Sequence, residues 1–498
     1  MNRRQFLRRA GAGTLLAVSF GHGGLERPLA SSTPRPNLVF IMADDHALEA
    51  VSAYGSHLKD YARTPHIDRL AREGMRFTNC CCNNSICSPS RASILTGQYT
   101  HVHGVHRNSQ EISRGSPWFS VALQQAGYDT AVVGKWHLAD RPKGFAEYWI
   151  AEEQGTYFDP ALRTPHGMVK KTGYATDVYT DLALDWLNKR RQDRPFCLCL
   201  HLKSPHIPFE YAPRHADLFE NVTIPEPPTL YEDVQTTSPL LKSQLRTQLD
   251  AAHSYYDRFK GDSRTVMAAA SDHRSRVAAA YQHLVKKYLR CVAAIDENVG
   301  RVLAALDDLG LSDDTVVVYT SDQGYLLGQH GLYDKRLILE ESLKMPLLVR
   351  YPKEIAAGAV NDDLVMNVDF APTFLDYAGV PVPAAMQGRS LRPLLQGMSP
   401  NDWRDAVFYA YWDESPAHWG MRTARFKIVC FPQTEQIEFY DLQADPREVR
   451  NVAGEQAYAH IIAFCRLRLT ALMREVGISR RQLPRFREMY IPESQAKA

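Results

Sequence analysis

The chain has 498 residues, of which 45% are hydrophobic and 23% are charged. This length suits roughly two to three domains, and the ordinary composition excludes a disordered or fibrous protein. The formal net charge of +2 argues against a dedicated nucleic-acid-binding protein, because such proteins usually carry a strong basic excess.

The first residues have the pattern of an export signal. Arg3 and Arg4 lie in a basic stretch, and residues 10–20 form a weakly apolar run with two glycines. Such a run is too short and too Gly-rich to cross a bilayer as a stable anchor, and this order is typical of a twin-arginine signal. We therefore predict a signal peptide over residues 1–33, export to the periplasm or the extracellular space, and no stable membrane anchor.

The first predicted strand ends in an acidic pair. Residues 37–43 are an apolar, β-rich run, which predicts a buried parallel strand. Asp44 and Asp45 follow its carboxyl end, where open α/β sheets place their sites. Two adjacent carboxylates repel each other unless they bind a cation or face different partners. Taken alone, the pair fits an ordinary polar strand end as well as a cation site.

Residues 87–97 have the unusual order Cys-Ser-Pro-Ser-Arg-Ala-Ser-Ile-Leu-Thr-Gly. Pro89 suits the first turn of a helix, which places Cys87 at a helix N-terminus, where unpaired amides and the helix dipole favour negative charge. Arg91 follows one turn later on the same helix face. A single Cys is more often a small buried apolar residue, but the combined pattern favours a nucleophile beside a fixed cation.

This run resembles the motif of the sulfatase family, Cys-X-Pro-X-Arg followed by an apolar residue and Thr-Gly. In that family an activating enzyme oxidises the Cys to formylglycine (3-oxoalanine), whose hydrated aldehyde is the nucleophile. The resemblance extends over residues 36–454. It implies a sulfuric ester hydrolase, with a formylglycine-generating enzyme as a partner that acts on Cys87.

Two further predicted strands end in basic residues. Residues 130–134 lead to Lys135 and His137, and residues 196–202 lead to His206 between two prolines. In an extended chain Lys135 and His137 would share a face. Each feature alone is a weak signal, but the orders Gly-Lys-Trp-His and Pro-His-x-Pro match the family.

The middle of the chain contains an insertion, a helix and another strand. Residues 210–280 are rich in proline and charge and predict an insertion of the kind that forms lids or binding walls. Residues 281–309 predict a long helix, and residues 315–321 a buried strand. This strand leads to Asp322 and Gln323, and a carboxylate with an amide carbonyl suits a hard cation such as calcium.

The alternation of strands and helices predicts the fold class. We expect an α/β protein with a large, mixed, mostly parallel sheet sandwiched by helices, and a smaller C-terminal α+β subdomain. The predicted domains are the catalytic domain over residues 34–392 and the C-terminal subdomain over residues 393–498. The elements predicted in the subdomain are strands near residues 407–412, 426–430 and 438–442 and a helix near residues 458–476.

The resemblance implies a calcium ion as cofactor and assigns its ligands. Many sulfatases have Asn at the position of Gln323. This chain departs from the family there, because the side chain in the implied ligand position is longer. The implied calcium ligands are Asp44, Asp45, the modified Cys87, Asp322 and Gln323.

The resemblance also assigns catalytic roles. Arg91 would steady the formylglycine hydrate, and Lys135 and Lys335 would neutralise sulfate oxygens. His137 would act as a base on the hydrate, and His206 as an acid toward the departing alcohol. His330 is a further candidate on the leaving-group side.

The implied substrate is a sulfated carbohydrate, and two other functions stay open. One is a phosphate or phosphonate ester hydrolase on the same scaffold. The other is a non-catalytic glycan-binding relative in which Cys87 is never oxidised.

Overall fold

The computed structural model describes residues 35–232, 238, 248–249, 270–412, 417–432 and 436–483. The predicted signal peptide and much of the predicted insertion over residues 210–280 lie outside the described residues.

The strands follow one another along the chain with helices between them. The strands are β1 (Asn37–Ala43), β2 (Met75–Phe77), β3 (Cys80–Cys81), β4 (Asp129–Lys135), β5 (Glu147–Ala151), β6 (Ala161–Thr164), β7 (Gly167–Lys170), β8 (Phe196–His201), β9 (Thr315–Ser321), β10 (Leu326–Leu327), β11 (Tyr333–Asp334), β12 (Leu347–Arg350), β13 (Ala359–Asn361), β14 (Val365–Met366), β15 (Ala406–Tyr411), β16 (His418–Thr423), β17 (Phe426–Cys430) and β18 (Ile437–Asp441). The α-helices are α1 (Pro65–Glu73), α2 (Cys87–Thr96), α3 (Thr100–His103), α4 (Phe119–Gln125), α5 (Ala175–Lys189), α6 (His273–Asp308), α7 (Glu340–Leu343), α8 (Phe370–Tyr377), α9 (Arg392–Leu395) and α10 (Ala459–Glu475).

Ten strands form one large sheet in the order β13-β2-β12-β9-β1-β8-β4-β5-β6-β7. The five central strands, β9, β1, β8, β4 and β5, run parallel to one another. Strand β12 is antiparallel to both of its neighbours, and β6 and β7 extend the other edge as antiparallel strands. The mostly parallel sheet predicted from the sequence is confirmed.

Helices cover both faces of this sheet, because alternate residues of each central strand point to opposite sides. In β1, Phe40 packs in the cluster that contains apolar residues of α2, α4 and α8. Its neighbour Ile41 packs in the cluster that contains residues of α1, α5 and α6. This arrangement explains why the whole of β1 is buried and reads as a continuous apolar run.

Helix α6 begins earlier than the sequence pattern predicted. The apolar spacing starts at Tyr281, whereas the helix starts at His273. The Asp272 side chain accepts a hydrogen bond from the backbone N–H of Ser275 at 2.8 Å, which caps the helix. The first turn is polar and begins with the exposed residues His273 and Arg274, so the apolar spacing does not extend to the start of the helix, although Val277 and Ala280 are buried.

The C-terminal sheet is an antiparallel meander in the order β15-β16-β17-β18, with α10 packed against β15 and β17. Strand β16 was not predicted. It contains Gly420, where a Cβ atom would meet the carbonyl oxygen of Ile428 at 2.1 Å, so close strand packing requires glycine there. The smaller C-terminal sheet is confirmed, and we retain the boundary between residues 392 and 393 as a proposal.

In the part of the chain that the structure describes, no helix is both long and apolar enough to cross a membrane.

Candidate active site

The candidate site lies at the carboxyl edge of the central strands. Because β1, β9, β4 and β8 are parallel, the residues that follow them meet at one edge of the sheet. The residues brought there are Asp44 and Asp45 after β1, Asp322 and Gln323 after β9, Lys135 at the end of β4, and Lys203 and His206 after β8.

Three carboxylates share the centre of this edge. One side-chain oxygen from each of Asp44, Asp45 and Asp322 lies within 4.8 Å of the others, and all three residues are fully buried. The backbone N–H of Asp45 donates to Asp322 Oδ1 at 3.1 Å. Buried carboxylates at this spacing repel one another strongly, so they need cations around them.

Three buried cations surround the carboxylates. Lys135 Nζ donates to Asp44 Oδ2, and Lys335 Nζ donates to both carboxylate oxygens of Asp45. Arg91 Nε donates to Asp322 Oδ2 at 3.0 Å, and Arg91 Nη2 lies 3.6 Å from Asp44 Oδ1. Arg91 Nη1 also donates to the carbonyl of Lys135 at 2.7 Å.

Burial and neighbouring charges shift the pKa values of Asp44 and Asp322 in opposite directions. Burial raises the pKa of Asp44, but Lys135, His206 and Arg91 together outweigh that effect and hold the pKa well below its usual range. Burial and the charge of Asp44 raise the pKa of Asp322 to about 7, although Arg91 opposes them. The charges of this chain therefore compensate the Asp322 carboxylate less than they compensate the Asp44 carboxylate.

Cys87 is the first residue of α2 and points into this cluster. Its Sγ lies 3.5 Å from Asp44 Oδ1, 3.8 Å from Gln323 Nε2 and 3.9 Å from Lys135 Nζ. Burial raises the pKa of the Cys87 thiol to about 12, more than Lys135 and Lys335 lower it. The unmodified residue is therefore a neutral thiol and a poor nucleophile.

The structure brings two of the three predicted site histidines, His137 and His206, to the same edge. His206 Nε2 lies 3.6 Å from Asp45 Oδ2, and its Nδ1 is 2.6 Å from the carbonyl of Ile207. His137 has a φ of 55°, so the chain is not extended beyond Lys135 as the shared-face argument assumed. The hydroxyl of Ser88 donates to the His137 carbonyl and supports this turn.

Two residues at the site were missed by sequence reasoning. Gln154 accepts a hydrogen bond from Lys135 Nζ at 2.6 Å, and its Nε2 lies 3.4 Å from His137 Nε2. Lys203 Nζ donates to the carbonyl of Gln154 at 2.8 Å. Lys203 follows a strand end, as Lys135 does, and that position was an available signal. Gln154 lies in a loop whose sequence has no comparable pattern.

His330 makes its hydrogen bonds to residues outside the carboxylate cluster. Its Nδ1 is 2.6 Å from Glu232 Oε2, and its backbone N–H donates to Thr229 Oγ1 at 3.1 Å. Within the described ranges, it makes no hydrogen bond to the three carboxylates or to Cys87. Its placement on the leaving-group side therefore stays a prediction.

The donor set at the centre fits a hard cation. The three carboxylates offer oxygen atoms, and Oε1 of Gln323 is buried without a hydrogen-bond partner among the described residues. An unsatisfied buried amide oxygen beside clustered carboxylates is unfavourable unless a cation or donor meets it. All-oxygen ligand sets of this kind are preferred by calcium and magnesium.

Two family models match the chain, and one curated relative is 40% identical to it. The family model described as Sulfatase matches residues 36–380, and the one described as N-sulphoglucosamine sulphohydrolase, C-terminal, matches residues 328–475. An N-acetylglucosamine-6-O-sulfatase of Bacteroides thetaiotaomicron is 40% identical over 478 residues, which cover 87% of this chain and 85% of that relative.

A solved structure and a second curated relative are also similar to the chain. A solved structure of a protein in complex with its substrate, D-glucosamine-2-N,6-O-disulfate, has a TM-score of 0.83 at 38% identity and covers 89% of this chain and 98% of that chain. The multifunctional alkaline phosphatase superfamily protein PehA of Trinickia caryophylli is 27% identical over 492 residues, which cover 86% of this chain and 93% of that protein.

The matched family model spans most of the chain, and a relative at 40% identity covers nearly all of it. The chain belongs to the sulfatase family and is a sulfuric ester hydrolase.

Proposed function

We propose that this sulfatase removes sulfate from a sulfated carbohydrate, with formylglycine formed at Cys87 as the nucleophile and one calcium ion as cofactor. The observation that carries the proposal is the position of Cys87, whose Sγ is 3.5 Å from a carboxylate of the buried three-Asp cluster. The relatives that act on 6-sulfated glucosamines support N-acetylglucosamine 6-sulfate groups as the substrate class.

The cations around residue 87 suit a sulfate ester. The ester is an anion, and its leaving oxygen gains further negative charge in the transition state. Arg91, Lys135 and Lys335 are buried and held by carboxylates, so they do not reorganise when that charge develops. Lys135 and Lys335 are the groups that would face the sulfate oxygens.

The calcium ion would be held by the residues at the two strand ends. Its ligands would be Asp44, Asp45, the modified residue 87, Asp322 and Gln323. When bound, the ion supplies a fixed positive charge that stabilises charge on the transferring sulfuryl group. The three carboxylates then fulfil two tasks, since they hold the ion and orient Arg91 and the two lysines.

The two histidines would move protons. Burial and Lys135 lower the pKa of His137 to about 2, so the ring is neutral before substrate binds. The negative charge of a bound sulfate ester would raise this pKa toward the range in which the ring accepts a proton from a hydroxyl of the modified residue 87. His206 donates from Nδ1 to the Ile207 carbonyl, so its Nε2 must be protonated for it to act as the acid. A bound anionic ester would favour that protonated form.

Mass spectrometry of the peptide that contains residue 87 tests the nucleophile. Trypsin releases residues 77–91, which contain four cysteines. Formylglycine is about 18 Da lighter than Cys and does not react with thiol reagents, so we expect three alkylated cysteines in protein made with a formylglycine-generating enzyme. Four alkylated cysteines in such protein would favour the non-catalytic glycan-binding relative.

The matched control is expression without the modifying enzyme. That protein should fold with the same melting temperature and lack sulfatase activity, because burial keeps the Cys87 thiol neutral. Full activity in this preparation would contradict the formylglycine proposal.

A second candidate is hydrolysis of phosphate or phosphonate esters, and the similarity to PehA, a multifunctional alkaline phosphatase superfamily protein, supports the phosphate esters. Turnover of matched sulfate, phosphate and phosphonate esters separates the two, and we expect the highest kcat/KM on the sulfate. A screen of defined sulfated oligosaccharides should give the fastest release from N-acetylglucosamine 6-sulfate. Faster release from another sulfated sugar would replace the proposed substrate class.

We also propose that the protein is exported through its twin-arginine signal. The variant with Arg3→Lys and Arg4→Lys should remain in the cytoplasm in cell fractionation, with unchanged activity in the extract. Undiminished appearance of this variant in the periplasm would contradict the proposal.

A further inference from the structure

Gln154 lies half-buried in the loop between β5 and β6 and contacts three basic residues. Its side-chain Oε1 accepts a hydrogen bond from Lys135 Nζ at 2.6 Å, and its Nε2 lies 3.4 Å from His137 Nε2. Its backbone carbonyl accepts from Lys203 Nζ at 2.8 Å, which fixes the loop itself. One amide thus contacts two groups with proposed roles in the reaction.

Lys135 determines which way the Gln154 amide faces. An ammonium group has only donors, so the amide atom beside Lys135 must be the oxygen. The amide nitrogen then faces His137, and its hydrogens are accepted only by a ring nitrogen without a proton. His137 Nε2 is therefore unprotonated, its lone pair accepts from the Gln154 amide, and the ring proton is on Nδ1.

Gln154 is the group that distinguishes the two neutral forms of His137. The charged groups facing the ring are the cations Lys135, Arg91 and Lys335 and the anion Asp44, and with burial they keep the ring neutral. His137 Nδ1 is buried and has no hydrogen-bond partner in the described part of the chain. His137 Nδ1 therefore has no contact among the described residues that would favour one neutral form of the ring over the other.

We propose that Gln154 is a positioning residue for the reaction: it holds His137 in the tautomer whose Nε2 is unprotonated, and it keeps Lys135 beside that ring. This inference rests on the proposed role of His137 as the base. It predicts that the donor and the acceptor of this amide affect the reaction in different ways.

The test compares Gln154→Glu and Gln154→Met, with kcat and KM measured against pH on the sulfate ester that the wild type turns over fastest. Glu keeps the acceptor for Lys135 but replaces the amide donor with an oxygen, so it favours a proton on His137 Nε2. We expect kcat to fall by about tenfold to a hundredfold with KM changed less, and the acid limb of kcat to move to higher pH. Met removes both contacts, so kcat should fall without that upward shift.

Thr156→Glu is the matched control, because it places the same charge on an exposed residue of the same loop. It should leave kcat and its pH profile as in the wild type. A wild-type acid limb and kcat in Gln154→Glu, with an unchanged melting temperature, would overturn the inference. If that variant does not fold, wild-type kcat in Gln154→Met overturns it instead.

His137→Ala separates this inference from the proposed mechanism. If His137→Ala keeps wild-type kcat, the role of His137 as the base fails, and the inference fails with it. If His137→Ala is inactive while both Gln154 variants behave as the wild type, only the role of Gln154 is overturned.

Discussion

Arg91 shows how one buried residue organises the site. Its side chain is 2% exposed, and it contacts Asp322, Asp44 and the carbonyl of Lys135 at the same time. A guanidinium group has several donors in a rigid plane, so it can hold groups from three strand ends in one geometry. The motif predicted a cation beside Cys87, and the structure adds that this cation joins the strand ends to each other.

The variant Arg91→Met tests this account at the residue scale. It leaves Asp322 and Asp44 buried with less compensating charge, so we expect the free energy of unfolding to fall by about 3–5 kcal/mol. Chemical denaturation measures that change, and sulfate release should be lost together with it. Arg107→Met, which removes an exposed arginine, should leave both quantities unchanged; wild-type stability of Arg91→Met would contradict the account.

At the scale of elements, the site depends on the pairing of β1 with β9. Ala43 lies opposite Ser321 in the parallel register, so Asp44 and Asp45 meet Asp322 and Gln323 directly beyond the two strands. Shifting either strand by one residue would turn these side chains to the other face of the sheet. The register of β1 against β9 therefore also fixes the carboxylates around the proposed calcium ion.

Calcium binding to these strand ends should stabilise the fold. Protein freed of metal by a chelator should gain about 2.7 kcal/mol in the free energy of unfolding when calcium is added at 100 times its Kd. The variant Asp322→Asn should lose most of this gain, because it removes one charged ligand of the three. Thermal unfolding with and without calcium measures the effect, which needs no activity assay.

Magnesium is the control ion in the same experiment. It is smaller and requires near-octahedral geometry, so we expect a smaller gain from it than from calcium. Equal calcium gains in the wild type and in Asp322→Asn would rule out Asp322 as a ligand.

At the scale of the whole molecule, the C-terminal sheet holds the segment that carries Lys335. The Tyr409 hydroxyl donates to the Arg336 carbonyl at 2.9 Å and lies 2.6 Å from Ser85 Oγ, two residues before Cys87. The backbone N–H of Ile338 donates to His418 Nε2 at 3.1 Å. The C-terminal sheet thus contacts the segment that carries Lys335 and the segment that carries Cys87.

Ion pairs of two buried basic residues also join the C-terminal sheet to the segment that follows Lys335. Lys427 of β17 is fully buried, and its Nζ lies 2.9 Å from Glu340 Oε1 and 2.6 Å from Glu448 Oε1. Arg422 of β16 lies 3.1 Å from Glu340 Oε2. Glu340 is the first residue of α7, five residues after Lys335.

The variant Lys427→Met should destabilise the protein through this contact. Removing Lys427 leaves the buried Glu448 and the half-buried Glu340 with less compensating charge, and we expect a loss of about 3–5 kcal/mol in the free energy of unfolding. Lys353→Met removes a lysine from an exposed ion pair with Asp314 and should cost less than about 1 kcal/mol. Denaturant unfolding of both variants tests the contrast, and equal losses would count against the buried pairs.

The sequence by itself determined the fold class, the family and the positions of the strand ends at the site. Apolar runs end at Asp44, Lys135 and Asp322, and a fourth run over residues 196–202 leads to His206. The order of residues around Cys87 is specific enough to identify the family. These signals are local, because a strand's burial pattern and a helix's first turn are written in consecutive residues. They gave no indication of strand β16, whose close packing depends on Gly420.

Only the tertiary structure decided how these residues contact one another. It joined Asp45 to Asp322 across 277 residues, placed Gln154 between Lys135 and His137, and directed His330 toward Glu232. The physical reason is that such contacts depend on strand order, loop path and burial, which no short stretch of sequence specifies.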